Sequence, residues 1–296
     1  MRAIVTGGEG FIGSHVVDRL VDAGHSVTSI DDLSAPQNET FYRNPSASYV
    51  VGDIRDQRLR DVYAGSDVVF HLAARSRIQP SVGSPNDCFS VNVLGTQEVL
   101  EASRLSGVKR VVYSTSSSYY GHASSPPFRE DAPPGCATPY SLSKWQGEQI
   151  CELYTKLYRL STISLRYFNV YGPREPLKGE YAPVIGLFKR QATAGDPITV
   201  VGDGSQRRDF TYIDDVVAAN IVAATSTETG VFNIGTGSNI SILELAKVIA
   251  QKYDAQVIHL PDRIGETRVT QADTRKSFDK LDWQHQHHLL DMLFTY

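Results

Sequence analysis

The first strand-like run of the chain, Arg2-Ala-Ile-Val-Thr6, breaks into Thr6-Gly-Gly-Glu-Gly-Phe-Ile-Gly13 and then into an amphipathic helical pattern. Glycines at 7, 10 and 13 permit a tight turn, a close backbone approach to a pyrophosphate, and tight packing of the helix on the strand. The start of that helix offers amide donors and a positive dipole to phosphates. The next strand-like run ends in Ser29-Ile-Asp31-Asp32, near the spacing at which an acid meets the adenosine ribose of a dinucleotide. An acid there accepts the 2′-hydroxyl and repels a 2′-phosphate, which favours NAD over NADP. Asp31, at the strand end, is the expected ribose ligand, and Asp32 reads as a turn residue.

The alternation continues beyond this turn. Strand patterns over 2–6, 26–31, 48–52, 67–71, 109–115 and 161–166 are interleaved with helical patterns over 11–24, 57–64, 85–107 and 138–158. Strands alternating with helices of this size predict an α/β chain: a Rossmann-type, doubly wound parallel sheet covered on both faces. After residue 170 the texture changes to shorter elements between Gly172-Pro173, Gly202-Asp-Gly204 and Gly235-Thr-Gly237. The expected division is a dinucleotide-binding domain over 1–166 and a smaller α/β substrate-binding lobe over 167–296. A segment near 209–235 is expected to return to the first domain.

A net charge of −4 gives no basic footprint for nucleic acid or anionic membranes. No apolar run approaches the ~20 residues of a membrane span. Three widely spaced cysteines (Cys88, Cys136, Cys151) and no leader pattern before the first strand suit a reducing cytoplasm. Cys151 reads as a packing residue. His285, His287 and His288 cluster near the end of the sequence but lack Cys, Asp or Glu at ligand spacing, so no metal is expected.

Tyr140 and Lys144 stand four apart in Pro139-Tyr-Ser-Leu-Ser-Lys144, and on a helix they share a face. A phenol titrates near ~10, and a fixed positive charge beside it favours the phenolate. An isolated Tyr-x-x-x-Lys is usually only a surface pair. Behind a dinucleotide turn it becomes a candidate acid/base.

Together these motifs resemble the extended short-chain dehydrogenase/reductase superfamily, and within it the nucleotide-sugar 4-epimerases, over nearly the whole chain. Thr6 to Gly13 is similar to the family's T-G-x-x-G-x-x-G turn, with Phe11 and Ile12 inside it. The resemblance implies that Asp53-Ile54 reads the adenine and that Leu72, Ala73 and Ala74, after His71, lie along the nicotinamide half. It implies that Asn92 helps to shape the active site, and it adds Asn92, Ser114 and Tyr167 to the cofactor contacts. Ser116 is the implied catalytic serine beside Tyr140 and Lys144. Asn169, Val184, Arg208, Arg263 and Thr270, with Ser116, Ser117, Ser118 and Tyr140, are implied to hold a UDP-sugar. The two arginines would grip the diphosphate as paired guanidinium forks.

The implied reaction is transient oxidation of the sugar at C4. Tyr140 takes the hydroxyl proton, Lys144 and the nicotinamide charge hold the phenol down, and Ser116 relays. Hydride returning to the opposite face of the 4-keto sugar inverts C4. Relatives that dehydrate or decarboxylate place carboxylates beside the catalytic serine or threonine, where this chain has Ser117 and Ser118. The first substrate pair is therefore UDP-glucose/UDP-galactose. Thr270 stands where strict UDP-glucose epimerases have a tyrosine, which leaves room for an N-acetyl group. Arg75 or Arg77, after the His-Leu-Ala-Ala strand end, would suit a uronate carboxylate if either faces the sugar. The resemblance also implies a homodimer formed by helices 85–107 and 138–158 as a four-helix bundle. A non-catalytic NAD-binding regulator on the same fold is the alternative from another class.

Overall fold

The computed structural model describes residues 1–35, 41–176, 182–261 and 268–296. Seven parallel strands form its central sheet: β1 (Arg2–Thr6), β2 (Ser26–Asp31), β3 (Ser48–Val51), β4 (Val68–His71), β5 (Arg110–Ser116), β6 (Ser161–Tyr167) and β7 (Gly230–Ile234). Their order across the sheet is β7-β6-β5-β4-β1-β2-β3. The direction of winding reverses between β1 and β4, and a crevice opens beyond the strand ends at such a point. Registers Thr6↔Ile30, Thr6↔His71 and Ser116↔Tyr167 bring these ends level.

The helices are α1 (Phe11–Asp22), α2 (Ile78–Gly83), α3 (Pro85–Phe89), α4 (Gly95–Leu105), α5 (Pro139–Tyr158), α6 (Val184–Ala194), α7 (Ile213–Thr225) and α8 (Ile242–Tyr253), followed by the short α9 (Arg275–Leu281) and α10 (Leu289–Met292). One apolar core joins α1 and α7 to a sheet face through Val16, Leu20, Val5, Phe70, Val216 and Ala219. It continues into the smaller lobe at Phe188, Leu245 and Ile249. The other sheet face packs Val69, Val111 and Tyr113 against Leu100, Cys151 and Tyr154 of α4 and α5. The near-continuous apolar strands are what a sheet buried on both faces requires. The chain has the doubly wound α/β architecture, and β7 and α7 rejoin the sheet after the chain has visited the second lobe.

That lobe contains α6, α8 and a parallel pair, Ile198–Val201 with Val257–Leu260. It is tied to the sheet ends by short ladders, Val170–Tyr171 with Thr211–Tyr212 and Arg207–Arg208 with Ile240–Ser241.

Three local expectations need correction. The helix expected over 57–64 is a 3-10 helix, Gln57–Tyr63, opened by Asp56, whose carboxylate accepts from the Arg58 amide. The helix expected over 85–107 is not uniform, because a π segment (Ser90–Leu94) separates α3 from α4. The extra residue of a π turn redirects side chains, and such bulges gather at functional sites. Finally, α2 lies where no element was expected; its six residues include Pro80 and Gly83, too short and too interrupted to show a helical period.

Candidate active site

A single cleft of about 940 Å³ runs along the carboxyl ends of the strands and under the second lobe. One half is made of backbone. Gly7 adopts φ +70°, and a Cβ there would come 2.7 Å from the Ala73 nitrogen. A Cβ at Gly13 would come 2.0 Å from the Gly7 carbonyl, so α1 leaves the turn in direct contact with it. Gly10 caps α1 without any side-chain hydrogen bond, which leaves the first-turn amides for an anion. Asp31 ends β2 with its carboxylate accepting from the amides of Glu9 (3.1 Å) and Leu33 (2.9 Å). Burial pushes that carboxyl above its usual range. Asp32 accepts from the Ser34 amide and hydroxyl.

Gly7, Gly10, Phe11, Ile12, Gly13, Asp31, Asp32, Asp53 and Ile54 all line this half of the cleft. Leu72, Ala73 and Ala74 carry the wall towards Ser114, Lys144 and Tyr167. The Thr6 hydroxyl steadies that wall, accepting from the Ala73 amide (3.3 Å) and bonding His71 Nδ1 (2.7 Å). His71 also meets Thr96 (2.9 Å), and burial lowers its pKa to about 3, so the ring is neutral. A glycine cradle, uncapped helix amides and a strand-end acid fit NAD.

The other half gathers side chains from distant segments. Tyr140 and Lys144 lie in the first turns of α5, whose start is fixed by a reciprocal pair between Thr138 and Ser141 and by Pro139. Ser116, at the end of β5, hydrogen-bonds the Tyr140 phenol. Lys144 is buried, donates from Nζ to the Ser114 carbonyl (2.8 Å), and has its pKa lowered by burial to about 8. The Tyr140 phenol is pushed above its usual value by burial, opposed by the Ser116 hydrogen bond and by the charge of Arg77. The charge of Arg77 favours the phenolate, while Lys144 Nζ is turned onto the Ser114 carbonyl at the end of β5.

Ser117 and Ser118 follow in a short 3-10 turn capped by the Ser116 hydroxyl, which accepts from the Ser118 amide (3.2 Å). Ser118 Oγ is buried without a partner among the described residues and belongs to the cleft wall. Asn169, at φ +28°, donates from Nδ2 to the Asp209 carbonyl (2.7 Å) and to Thr270 Oγ1 (3.2 Å). Its carbonyl oxygen remains as an acceptor for a ligand. Val184 opens α6 in the same wall, with Arg208 and Thr270. Arg263 lies outside the described residues.

Asn92 sits elsewhere than expected. Asn92 is buried in the π segment and does not reach the cleft. It accepts from the Arg75 amide (2.7 Å) and donates to the Arg75 carbonyl (3.0 Å) and Ser143 Oγ (2.9 Å). It therefore clamps the 74–77 loop to α5 and is a scaffold for the site rather than a cofactor contact. Arg75 also lines the cleft, where it pairs with Asp87 (2.7 Å) and Ser34 (2.5 Å). Arg77 lines the cleft beside Tyr140.

The sequence reading missed the strut beneath α5. Glu148, one turn beyond Lys144, pairs with Arg166 of β6 (2.7 and 2.9 Å) and accepts from Thr115 (2.8 Å). Both charged side chains are buried, so removing either costs about 3–5 kcal/mol. Glu and Arg at helix and strand positions look like surface charges in sequence, and only their pairing reveals the strut.

Comparison with known proteins agrees with this geometry. Residues 3–235 match the family model described as the NAD dependent epimerase/dehydratase family. A UDP-glucose 4-epimerase of Mycolicibacterium smegmatis is 39% identical, covering 97% of this chain and 94% of its own. The crystal structure of a Thermotoga maritima UDP-glucose 4-epimerase with UDP-glucose superposes with a TM-score of 0.95 at 34% identity, covering 99% of this chain and 96% of that one. A UDP-N-acetylglucosamine 4-epimerase of Methanobrevibacter ruminantium, in complex with UDP-N-acetylmuramic acid, follows at TM-score 0.94 and 32% identity, covering 99% and 95%. The dinucleotide cradle, the matched family model and these full-length relatives together make the chain a member of the NAD-dependent epimerase/dehydratase family, with NAD as its cofactor.

Proposed function

We propose that this chain is a UDP-hexose 4-epimerase acting on UDP-glucose and UDP-galactose, with room for their N-acetylhexosamine counterparts. The observation that carries the reading is the joining of Ser116, Tyr140 and Lys144 at one strand end without a neighbouring carboxylate. Among the described residues, the acids lining the cleft are Asp31, Asp32, Asp53 and Asp87. Asp31 and Asp32 close β2, Asp53 is held by Arg55, and Asp87 by Arg75. None stands beside Ser116, where an elimination would need an additional acid/base. When bound, NAD supplies reversible oxidation of the sugar C4 carbinol to a ketone, and return on the opposite face inverts that centre.

In this reading the chain does four things. Tyr140 Oη takes and returns the O4 proton. Ser116 Oγ, already hydrogen-bonded to that phenol, relays it. Lys144, anchored on Ser114, is positioned for the cofactor ribose. Asn169 offers its carbonyl to the sugar nucleotide, and Arg208 and Arg263 serve the diphosphate. Residues 1–166, with the returning 209–235 segment, hold NAD, and 167–296 mainly hold the nucleotide sugar. Thr270 spends its hydroxyl on Asn169 and the Asp209 amide, leaving a small side chain where a tyrosine would narrow the pocket.

A homodimer through α4 and α5 is part of the proposal. Leu94 is 57%, Leu153 48% and Leu157 63% exposed, while Val91 and Leu100 of the same stretch face inward. Sedimentation at micromolar concentration should give a dimer, and Leu153→Glu with Leu157→Glu should give monomers. Among the described residues no helix is long and apolar enough to cross a membrane; together with the free thiols this supports a cytoplasmic setting.

The function is tested by NMR of UDP-glucose, UDP-N-acetylglucosamine and UDP-glucuronate incubated with the protein and NAD. Inversion at C4 of at least one is expected, reduced about 10²–10⁴-fold in Tyr140→Phe with NAD content unchanged. A 4-keto-6-deoxy product, or full activity in Tyr140→Phe, would overturn it.

A further inference from the structure

Arg77 caps α2 and faces the cleft where the sugar would meet Tyr140. The helix it opens is pinned over the catalytic turn, because the Tyr140 amide donates to Ser81 Oγ (3.1 Å). Arg77 Nε is buried and has no hydrogen-bond partner among the described residues, and no described carboxylate forms an ion pair with it. A guanidinium stays charged and carries five donors. Burying one of those donors without an acceptor is costly, and structures normally avoid it unless a ligand completes the site.

The groups whose charge reaches Arg77 are Tyr140 and Glu175. Glu175 forms no ion pair with it. Its Oε1 accepts from the Tyr296 hydroxyl (3.2 Å), its Oε2 is buried without a partner among the described residues, and burial raises its pKa to about 7. Nor does the position suit the other anions of the site. The cofactor pyrophosphate belongs at the Gly10 end of α1, and the substrate diphosphate is assigned to the Arg208 side. What remains beside the phenol that handles O4 are the substituents on the two neighbouring ring carbons, C3 and C5, and in a hexuronate it is C5 that carries an anion.

We infer that Arg77 is a specificity residue that reads a carboxylate on the sugar, giving the cleft a subsite for UDP-hexuronates alongside neutral UDP-hexoses. The inference rests on the UDP-sugar reading of the cleft above. It involves no new chemistry: the carboxylate is carried through binding and inversion unchanged, held by the guanidinium fork.

The test measures dissociation constants of UDP-glucuronate, UDP-glucose and UDP for the NAD-bound protein, its Arg77→Gln variant and its Arg77→Lys variant. Charge-assisted pairing predicts that Arg77→Gln weakens UDP-glucuronate by about 10–100-fold while UDP and UDP-glucose change by less than about threefold. Arg77→Lys keeps part of the preference, since it keeps the charge but loses the fork. If the glutamine variant does not fold, the lysine variant alone must still lose more affinity for UDP-glucuronate than for UDP-glucose. Equal losses for both sugars, or no measurable binding of UDP-glucuronate to the parent, would overturn the inference. The epimerase reading fails separately: if the parent inverts C4 of neither sugar, that reading falls even where the binding preference for the uronate stands.

Discussion

The two halves of the cleft are built from different materials. The NAD half is mainly backbone: a glycine turn, the open amides of α1, and strand ends in fixed register. Its key residues fall within a few positions of one another, and their spacing is dictated by a single β-turn-α unit. The sugar half is mainly side chains drawn from β5, α2, α5, the 169–175 segment and the second lobe. Its polar atoms answer one another across large sequence separations, as Asn169 does with Thr270, and behind it Glu175 meets Tyr296. A backbone site tolerates little change in shape, whereas a side-chain site can be retuned one group at a time.

The contrast can be broken at its strongest point by Gly13→Ala. The added methyl would meet the Gly7 carbonyl at 2.0 Å, and backbone on both sides cannot yield cheaply. Overpacking of this kind costs about 1–3 kcal/mol or more, so NAD affinity should fall by at least about tenfold, with a lower melting temperature. Unchanged NAD binding by calorimetry would show that the turn is softer than its geometry implies.

On the sugar side, Glu175→Gln should raise stability. The Glu175 carboxyl has its pKa raised from 4.5 to about 7 by burial. Below about pH 4.5 it is protonated in both folded and unfolded chains and costs nothing. Between 4.5 and 7 only the unfolded chain ionises freely, so its cost to folding grows with pH and is complete above 7. The glutamine variant should be more stable than the parent at pH 8 by about 1–3 kcal/mol, with the gap closing towards pH 4.5. A gap of the same size at both pH values in thermal melts would mean that Glu175 acts through packing, not charge.

The smallest expected effect returns to the NAD half. Asp31→Asn keeps the acceptor for the Glu9 or Leu33 amide but removes the negative charge. NADP should gain on NAD by about tenfold, the scale of one charge-assisted hydrogen bond. Unaltered selectivity would place the ribose discrimination elsewhere.

Legibility followed the same divide. The strand and helix periods of the sheet domain were readable because both faces of the sheet are buried and the apolar runs are uninterrupted. The dinucleotide turn was readable because its chemistry is local. Tyr140 and Lys144 were readable as a pair on one helix, yet their surroundings were not: the ammonium is held on the Ser114 carbonyl, and the charge of Arg77, 63 positions earlier, also reaches the phenol. Asn92 drew attention by its motif, but its buried clamp on Arg75 and Ser143 depends on the π segment between α3 and α4. Arg75 and Arg77 were indistinguishable as text. Both line the cleft, but one meets Asp87 and Ser34 while the other opens α2 beside Tyr140.

By itself, then, the sequence determined the elements with a repeating period and the site residues that act through neighbours in the chain: the α/β alternation, the NAD turn, the acid at Asp31 and the Tyr140–Lys144 face. Only the tertiary structure decided which charges face which. It buried Glu148 with Arg166 as a strut under α5, held Asn92 out of the cleft, and left the Arg77 guanidinium without an anion beside the phenol. The physical reason is range: period and turn chemistry act over a few residues, whereas desolvation and charge pairing depend on groups that only the completed fold brings together.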